Sequence, residues 1–369
     1  MTPQRILIVS MAFHPDNSPR SFRATELAKE FSRQGHRVEI LTKEKGTSYT
    51  GFEKQYSFKV LNGLVLIHYN SKIFRTRRSL ARRVIDRFLY QFLFYPDIEI
   101  AHAISSYFKH LGESYDLLIS IAKPYAVHIG CAYGISRNKH LVRNWIADCG
   151  DPFTLCKSDP YRFPFYFKWI EKWMFRKTTY ITIPVEAART AYFREFLSKI
   201  KVIPQGLNFS EIKLFEGPIY NNCPTFCYAG AIYQKTRNPQ KILNYLATLD
   251  FDFKFIMYTD LIELLEPYMA KLGKKLQIRK PIPRTMLLYE LSKMDFLINI
   301  DNVNKEQVPS KIIDYTLTKR PIISVDPEVP DYENIYRFLT EDYSGRYKVG
   351  NIDDFDISAI ARKFIELVN

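Results

Sequence analysis

Residues 5–42 read RILIVSMAFHPDNSPRSFRATELAKEFSRQGHRVEILT, and this stretch decides the fold class. The apolar run Arg5–Ser10 is bounded by polar residues, which is typical of a buried parallel strand. A loop with two prolines follows, and a helix is then predicted over residues 21–34, ended by Gly35. The next apolar run, residues 38–42, is a second strand. This order of strand, loop, helix and strand predicts a doubly wound α/β domain.

The same alternation continues along the chain and predicts a second domain. In the first half we expect further strands at 64–69, 117–121, 141–146, 179–183 and 201–203. After residue 222 we expect strands at 226–229, 253–257, 276–278, 296–300 and 322–325, with helices near 239–249, 261–272, 284–293 and 310–318. We therefore predict two Rossmann-like doubly wound α/β domains that face a cleft. The predicted ranges are 1–205 for the N-terminal domain, 206–222 for a linker, 223–355 for the second domain and 356–369 for a terminal helix that packs back on the N-terminal domain.

The net charge of +14 lies entirely in the first part of the 369-residue chain. Residues 1–200 contain 31 Lys and Arg against 17 Asp and Glu, whereas residues 201–369 contain 22 of each. A one-sided excess of this kind is a property of surfaces that meet anions. We therefore expect the N-terminal domain, and not the second one, to meet an anionic partner.

Composition and missing motifs argue against several classes of protein. No run of about 18 apolar residues is present to span a membrane, and the start of the sequence does not resemble a signal peptide. Five cysteines form no paired framework, which is typical of a reduced, cytoplasmic protein. Cys223 and Cys227 lack a second ligand pair at zinc spacing, so we expect no metal site. Neither G-x-G-x-x-G nor G-x-x-x-x-G-K-[ST] occurs, which argues against a dinucleotide dehydrogenase or a P-loop NTPase.

Two motifs in the second domain combine groups that bind hydroxyls with groups that attract an anion. The stretch Glu306-Gln-Val-Pro-Ser-Lys-Ile-Ile-Asp314 places two carboxylates eight residues apart, and carboxylates accept hydrogen bonds from sugar hydroxyls. Between them Ser310 suits a helix start, where Lys311 adds to the attraction for an anion. The second motif is a strand ending at Gly230, followed by a loop that carries Lys235 and Arg237. A cation in such a loop offsets charge on a leaving diphosphate. The alternatives are a surface helix with an ordinary cap and solvated loop charges.

These motifs resemble the E-x7-E region and the Gly-loop of retaining GT-B glycosyltransferases, most closely the family-four group that builds bacterial surface polysaccharides. The resemblance implies that Glu306 holds hydroxyls of the donor sugar and that Asp314, in place of the family's second Glu, holds the ribose. It also implies that backbone N–H groups at the helix start cradle the diphosphate. The family's Arg after the Gly is Ala231 here, and its Lys falls on Thr236, which Lys235 and Arg237 flank.

The N-terminal domain carries weaker landmarks of the same family in the same order. Many members have a Gly pair in the first loop, and in its place we expect Arg20 to serve the phosphates. His128 is predicted to start a helix near the cleft, and we expect it to be one of two catalytic residues, where it hydrogen-bonds the donor sugar or a phosphate. The alternative is a satisfied helix-start histidine. Asp148 and Asp151 follow a strand end, and we expect Asp151 to orient the acceptor hydroxyl or act as base, unless it is only a turn carboxylate. No nucleophile–base pair is evident, in agreement with the front-side displacement that the resemblance implies.

A basic, amphipathic segment is the best candidate for the anionic partner. Residues 72–87 contain seven Lys and Arg and one Asp, and an apolar stripe at helical spacing runs through and beyond them. One reading is a core helix with a solvated, charged end. The other is docking on anionic lipid headgroups through Arg75, Arg78, Arg82 and Arg83, with residues 163–177 as a second contact. Nucleic acid fits the charge, but no nucleic-acid motif accompanies it, so we expect none to bind.

The sequence as a whole predicts a hexosyltransferase-type glycosyltransferase. The donor is a UDP- or GDP-sugar, the acceptor is lipid-linked or an oligosaccharide, and no cofactor or metal is expected. The expected setting is capsule, O-antigen or exopolysaccharide synthesis, in the cytoplasm at the inner face of the cytoplasmic membrane. Two alternatives remain: a GT-B nucleotide-sugar 2-epimerase, and a non-enzymatic module that binds lipid or nucleic acid.

Overall fold

The computed structural model describes residues 2–16, 18–43, 48–64, 80–94, 97–156, 162–234, 236–301, 311–348 and 350–369. The chain forms two compact units. The first comprises residues 1–207 together with 357–369, and the second comprises residues 208–356. Among the residues described, no helix has the length and apolar character needed to cross a membrane.

The first unit is built on a seven-stranded sheet in which every described pairing is parallel. Its strands are β1 (Arg5–Ser10), β2 (Arg37–Lys43), β3 (Lys59–Leu64), β4 (Tyr115–Ala122), β5 (Val142–Cys149), β6 (Tyr180–Ile183) and β7 (Ile200–Val202). They are ordered β3-β2-β1-β4-β5-β6-β7. The helices are α1 (Pro19–Arg33), α2 (Thr50–Tyr56), α3 (Leu80–Leu93), α4 (Asp97–Tyr107), α5 (Ala126–Arg137), α6 (Phe167–Lys177) and, from the end of the chain, α12 (Ile357–Glu366).

Local sequence explains where α1 begins and ends. The Ser18 hydroxyl accepts a hydrogen bond from the Ser21 N–H at 3.2 Å, and Pro19 occupies the first turn, where its missing N–H costs nothing. Gly35, with φ of +86°, follows the helix in a conformation that glycine adopts without strain. The buried side of α1 shares a core with α12, where Phe31 and Phe364 meet edge to face.

The second unit has a five-stranded parallel sheet with the order β10-β9-β8-β11-β12. The strands are β8 (Thr225–Ala229), β9 (Lys254–Tyr258), β10 (Leu276–Arg279), β11 (Phe296–Ile300) and β12 (Ile322–Val325). The helices are α7 (Gln240–Leu246), α8 (Glu266–Leu272), α9 (Arg284–Leu291), α10 (Lys311–Leu317) and α11 (Tyr332–Leu339). The centre of the core is the Phe226 ring, which stacks between Phe255 and Phe296 at 4.5 and 4.6 Å.

The predicted fold class is confirmed: both sheets are parallel, and helices cover both faces. The units divide after residue 207, two residues beyond the predicted end of the first domain. A strand was predicted at 64–69; β3 lies at Lys59–Leu64, and residues 65–69 are outside the described range. β3 is an edge strand that pairs only with β2 among the described strands, so it lacks the continuous apolar run that marks a central strand. Helix α11 was not predicted at all.

Candidate active site

Asp148, near the carboxyl end of β5, is the centre of a buried ion-pair network in the first unit. Arg23 of α1 contacts both carboxylate oxygens, with Nε 3.2 Å from Oδ2 and Nη2 3.0 Å from Oδ1. The Thr182 hydroxyl donates to Oδ1 at 2.7 Å. Burial by itself would raise the pKa of Asp148, but the Arg23 and Arg20 guanidiniums and these hydrogen bonds hold it below its usual value. Asp148 is therefore an ionised carboxylate that ties β5 to α1.

Arg20, the residue expected to serve the donor phosphates, lies beside the same carboxylate. Its Nη1 is 3.6 Å from Asp148 Oδ2, and the Arg20 side chain is partly exposed. It packs against the backbone of Gly150, where a Cβ atom would approach Arg20 Cζ to 2.6 Å. Glycine at position 150 thus makes room for the Arg20 side chain. A role for Arg20 in phosphate binding stays a prediction.

His128 lies inside the core of the first unit and has no exposed surface. Its Nδ1 is 2.7 Å from the Ser120 hydroxyl, which also accepts a hydrogen bond from Trp145 Nε1 at 2.7 Å. Its Nε2 is 3.5 Å from Cys149 Sγ. Burial lowers the pKa of His128 to about 3, so the ring is neutral at physiological pH. The geometry is that of a satisfied core histidine at the start of α5, and a catalytic role for His128 stays a prediction.

Asp151 follows β5 at the carboxyl edge of the sheet, where ligands bind in open α/β folds. Its carboxylate forms an ion pair with Lys123, with Nζ 3.4 Å from Oδ2, and its carbonyl accepts a hydrogen bond from the Tyr125 hydroxyl. Lys123 and Tyr125 both line a cavity of about 130 Å³. Asp151 is therefore a partly exposed carboxylate at the edge of a cavity.

This cavity combines aromatic walls with charged groups. Its lining includes Tyr90, Asp97, Lys123, Tyr125, Phe153, Arg162 and Phe163. Tyr125 and Phe153 stack with ring centroids 4.4 Å apart. Burial raises the pKa of Asp97 to about 6. Flat rings beside a few charges suit the apolar face and the hydroxyls of a sugar.

Glu171 of α6 supports the loop that forms one side of the cavity. Its side chain is fully buried, and Oε2 accepts hydrogen bonds from the backbone N–H of Thr154 at 3.2 Å and from the Thr154 hydroxyl. Burial raises the pKa of Glu171 to about 7, and the Thr154 hydrogen bonds offset only part of that effect. Glu171 therefore holds residues 152–154 against α6.

In the second unit, β8 ends in the loop that was expected to bind the diphosphate. Gly230 has φ of +146°, a conformation that side-chain-bearing residues rarely adopt, and its N–H donates to the Tyr258 carbonyl at 2.9 Å. Tyr233 and Arg237 then exchange two backbone hydrogen bonds of 3.1 and 3.0 Å. Arg237 Nη1 lies 3.4 Å from the Ala231 carbonyl, so the guanidinium folds back towards the start of the loop.

Asp314 of α10 is mostly buried and is oriented by Arg284 at the start of α9. Arg284 directs both Nε, at 3.0 Å, and Nη2 to the same oxygen, Oδ1. Burial raises the pKa of Asp314, although the Arg284 charge opposes the shift. Across the described residues, no donor contacts the other oxygen, Oδ2. The carboxylate is thus held at one oxygen, and its second oxygen is available as an acceptor.

Tyr315 brings the two motifs of the second unit together. Its hydroxyl accepts a hydrogen bond from the Ala229 N–H at 2.8 Å and lies 3.4 Å from the Ala229 carbonyl. Ala229 precedes Gly230, and Tyr315 follows Asp314. The helix that carries Asp314 is therefore fixed to the strand end at which the cationic loop begins, through one buried side chain.

Several predicted residues lie outside the described range: Arg75, Arg78, Lys235, Glu306 and Ser310. Lys311 is the first residue of α10, and only its backbone is described. Arg82 Nε lies 3.3 Å from Asp86 Oδ1 on α3, and Arg83 is exposed. The roles proposed for these residues stay predictions.

Sequence reasoning missed four residues that organise these regions: Arg23, Glu171, Arg284 and Tyr315. Two of them carried a signal. Arg23 stands four residues before Leu27 on the buried stripe of α1, and Glu171 stands four residues after Phe167 on that of α6. A charged residue at a core position of a helix needs a buried partner, so its presence indicates one. Arg284 and Tyr315 show no comparable pattern.

No cluster of His, Cys, Asp or Glu within the described ranges has the arrangement of a metal site. The five cysteines are present as thiols, three of them buried.

No protein-family model and no curated protein sequence matches this chain. Solved structures do match it along its whole length. A glycosyltransferase from Rickettsia africae has a TM-score of 0.67 at 14% identity, covering 100% of this chain and 98% of that one. The lipopolysaccharide outer core galactosyltransferase WaaB, in its apo form, has a TM-score of 0.66 at 10% identity, with 99% of both chains covered. The chain therefore has the two-unit Rossmann-like fold of the GT-B glycosyltransferases.

Other enzymes are also similar to this chain, though less so. A putative UDP-N-acetylglucosamine 2-epimerase from Listeria monocytogenes has a TM-score of 0.54 at 10% identity, covering 99% of this chain and 95% of that one. The fold is thus shared by proteins of two named activities.

Proposed function

We propose that this protein is a glycosyltransferase that moves a sugar from a UDP- or GDP-sugar to a hydroxyl of a lipid-linked or oligosaccharide acceptor. The observation that carries the proposal is the pairing of motifs in the second unit. Tyr315, the neighbour of Asp314 on α10, fixes this helix to the end of β8, from which the Gly230 loop with Arg237 begins. One carboxylate for hydroxyls and one cation for phosphates, at the carboxyl end of a parallel strand, are the groups that a nucleotide sugar needs.

Each group of the second unit has a distinct task in this proposal. Asp314 accepts hydrogen bonds from ribose hydroxyls through Oδ2, because Arg284 occupies Oδ1 and sets its direction. Arg237, with Lys235, neutralises the diphosphate as charge grows on the leaving group. Glu306 holds the sugar, and Ser310 and Lys311 contribute the start of α10. Because side-chain cations supply the positive charge, we expect activity without added divalent metal and unchanged activity in EDTA.

The first unit holds the acceptor in this proposal. The cavity beside Asp151 offers stacked rings and the cations Lys123 and Arg162. Asp151 orients the acceptor hydroxyl. Retention of the anomeric configuration, and a role in surface-polysaccharide synthesis at the inner face of the cytoplasmic membrane, rest on the family resemblance and on the basic first half of the chain.

A donor panel tests the proposal directly. UDP- and GDP-sugars are screened by thermal shift and by release of free nucleotide. We expect one nucleotide class to raise the melting temperature and to be hydrolysed slowly. Asp314→Asn should weaken donor binding about tenfold or more, since hydrogen bonds to a charged acceptor contribute about 1.5–3 kcal/mol. Glu263→Gln, an exposed carboxylate change in the same unit, should bind as the native protein does. A protein that responds to no nucleotide sugar, or an Asp314→Asn variant with native affinity, contradicts the proposal.

The 2-epimerase similarity supports a second candidate function. A 2-epimerase needs no acceptor and converts UDP-N-acetylglucosamine by itself. Incubation with that donor alone, followed by NMR of the sugar, separates the two activities: a new C2 epimer indicates an epimerase, and free UDP indicates a glycosyltransferase that uses water as a poor acceptor.

A further inference from the structure

Helix α3 exposes its apolar side. The sequence spacing of its apolar residues indicates a stripe, and a stripe of this kind usually faces the core. Here Val84 and Phe88 are 62% and 57% exposed, and Leu93 is 63% exposed. The half-buried side of the helix carries Leu89 and Tyr90 together with the Arg82–Asp86 ion pair. In the part of the chain that the structure describes, nothing covers the apolar side of α3.

The exposed side of α3 continues onto the start of α6. Gln91 Nε2 donates to the Arg162 carbonyl at 2.7 Å, and the Tyr166 hydroxyl donates to the Phe92 carbonyl. These bonds place α3 against the segment that carries Phe165 and Trp169, which are 67% and 58% exposed and in edge-to-face contact. We call the combined set the α3 surface; it consists of Val84, Ile85, Phe88, Phe92, Leu93, Phe165 and Trp169. An exposed apolar patch of this kind marks an interaction site.

The charges beside the α3 surface indicate its partner. Arg83 on α3 and Lys168 on α6 are exposed, and the sequence of residues 72–87 holds seven cations and one acid. A second copy of the chain would bring these cations against their own equivalents, which is unfavourable. Nucleic acid matches the charge, and the four aromatic rings of the α3 surface offer stacking faces to bases. Val84 and Leu93, the most exposed apolar side chains of α3, are aliphatic and do not stack on bases, which favours a lipid interface. An apolar surface with cations at its rim fits the interface of an anionic bilayer.

We propose that the α3 surface docks on a lipid bilayer that contains anionic headgroups, with its apolar side chains in the interface and the flanking cations at the headgroups. The importance of docking for catalysis rests on the proposed function, because a docked enzyme meets a lipid-linked acceptor. The inner side of the same helix connects to the acceptor cavity. Tyr90 of α3 lines it and contacts the Phe163 ring at 5.6 Å. One helix thus has a lipid-facing side and a side in the cavity.

Vesicle flotation of the full chain tests the docking. The protein is mixed with vesicles of phosphatidylcholine alone or with about one-third phosphatidylglycerol. We expect binding to the anionic vesicles and little to the neutral ones. Phe88→Ser/Trp169→Ser should lower the partition coefficient at least about tenfold, since each side chain loses its burial in the interface. The matched control is Tyr220→Ser/Val329→Ser, two highly exposed apolar side chains of the second unit, and it should bind as the native chain does.

A charge variant tests the second half of the proposal. Arg83→Gln/Lys168→Gln should lower partition onto anionic vesicles about 25-fold, at about fivefold for each cation. Lys274→Gln/Lys280→Gln removes the same charge from exposed sites of the second unit and should have little effect. Circular dichroism of all four variants checks that each is folded.

Four outcomes would overturn the docking proposal. They are flotation with neither kind of vesicle, equal flotation with both, native partition of the Phe88→Ser/Trp169→Ser variant, and a dimer in solution that this variant dissociates. Tight RNA binding that the charge variant abolishes, without vesicle binding, would assign the surface to nucleic acid. Donor binding is measured separately, so vesicle binding without any nucleotide-sugar response would remove the proposed function and leave the docking in place.

Discussion

At the scale of single residues, two aspartates paired with arginine differ in how many of their oxygens are occupied. Arg23 and Thr182 occupy both oxygens of Asp148, at a position buried between β5 and α1. Arg284 contacts only Oδ1 of Asp314. Both oxygens of Asp148 accept hydrogen bonds from within the fold, whereas Oδ2 of Asp314 remains available as an acceptor. Counting oxygens therefore separates a structural carboxylate from a candidate ligand-binding one.

We predict that Asp148→Asn destabilises the first unit by about 3–5 kcal/mol, because it leaves the Arg23 cation buried without a counter-charge. The measurement is the free energy of opening of β1 amides by hydrogen exchange. Asp151→Asn breaks a partly exposed pair with Lys123 and should cost less than about 1 kcal/mol. An Asp148→Asn variant as stable as Asp151→Asn would show that the network adds nothing.

The same group has a predictable pH dependence. Because the folded protein lowers the pKa of Asp148 below its ordinary value of 3.8, the unfolded chain binds the proton first as pH falls. The stabilisation is complete above the unfolded pKa and is lost as pH drops below it.

At the scale of elements, Glu171 joins α6 to the loop along the cavity. Its effect on stability changes with pH in the opposite direction to that of Asp148. Its pKa rises from 4.5 to about 7 on folding, so the folded protein holds the proton more tightly. Stability from this group is complete below pH 4.5 and is lost as pH rises to 7. We predict that Glu171→Gln raises the stability of the first unit by about 3 kcal/mol at pH 8 and changes it little at pH 4.

Asp97 supplies an internal control for that experiment. Burial raises the pKa of Asp97 to about 6. Its pH-dependent contribution to stability is therefore lost about one pH unit below that of Glu171. Asp97→Asn should remove the pH dependence only below about pH 6. A stability profile of Glu171→Gln that parallels the native one between pH 6 and 7 would show that Glu171 does not titrate there.

Sequence periodicity predicted most elements, because apolar spacing reflects burial directly. β1, β11 and β12 have the predicted bounds, and the loop after Gly230 was identified from its glycine and cations. Periodicity shows that α3 has an apolar stripe, but it does not show which way the stripe faces. The partners of Asp148 and Asp314 lie 125 and 30 residues away in the sequence, so only the fold brings each pair together.

At the scale of the whole molecule, helix α12 completes the core of the first unit. Ile357, Ile360, Phe364 and Ile365 of α12 are almost completely buried against α1 and the sheet. The Ile357 N–H donates to the Leu207 carbonyl at 2.8 Å, where the chain leaves the unit. The predicted terminal helix therefore forms part of the core that the first 207 residues begin.

We predict that Phe364→Ala destabilises the first unit by about 3–5 kcal/mol, the usual cost of removing a buried aromatic ring. Hydrogen exchange should show faster opening at Ile6–Val9 and unchanged opening at Phe226–Ala229. Arg362→Ala, an exposed change on the same helix, should stay within about 0.5 kcal/mol of the native protein. Equal protection of β1 in both variants would show that α12 is dispensable.

The position of α12 has a consequence during synthesis. When residue 207 leaves the ribosome, the face of the sheet that α12 covers still lacks its last layer. Residues 208–356 must be translated first, which takes on the order of ten seconds at about 5–20 residues per second. The second unit, which is continuous in sequence, has all of its parts before the first one does. The nascent N-terminal half therefore exposes this apolar face of its sheet until α12 has been synthesised. We expect chaperones that recognise exposed apolar surfaces to bind it during that time.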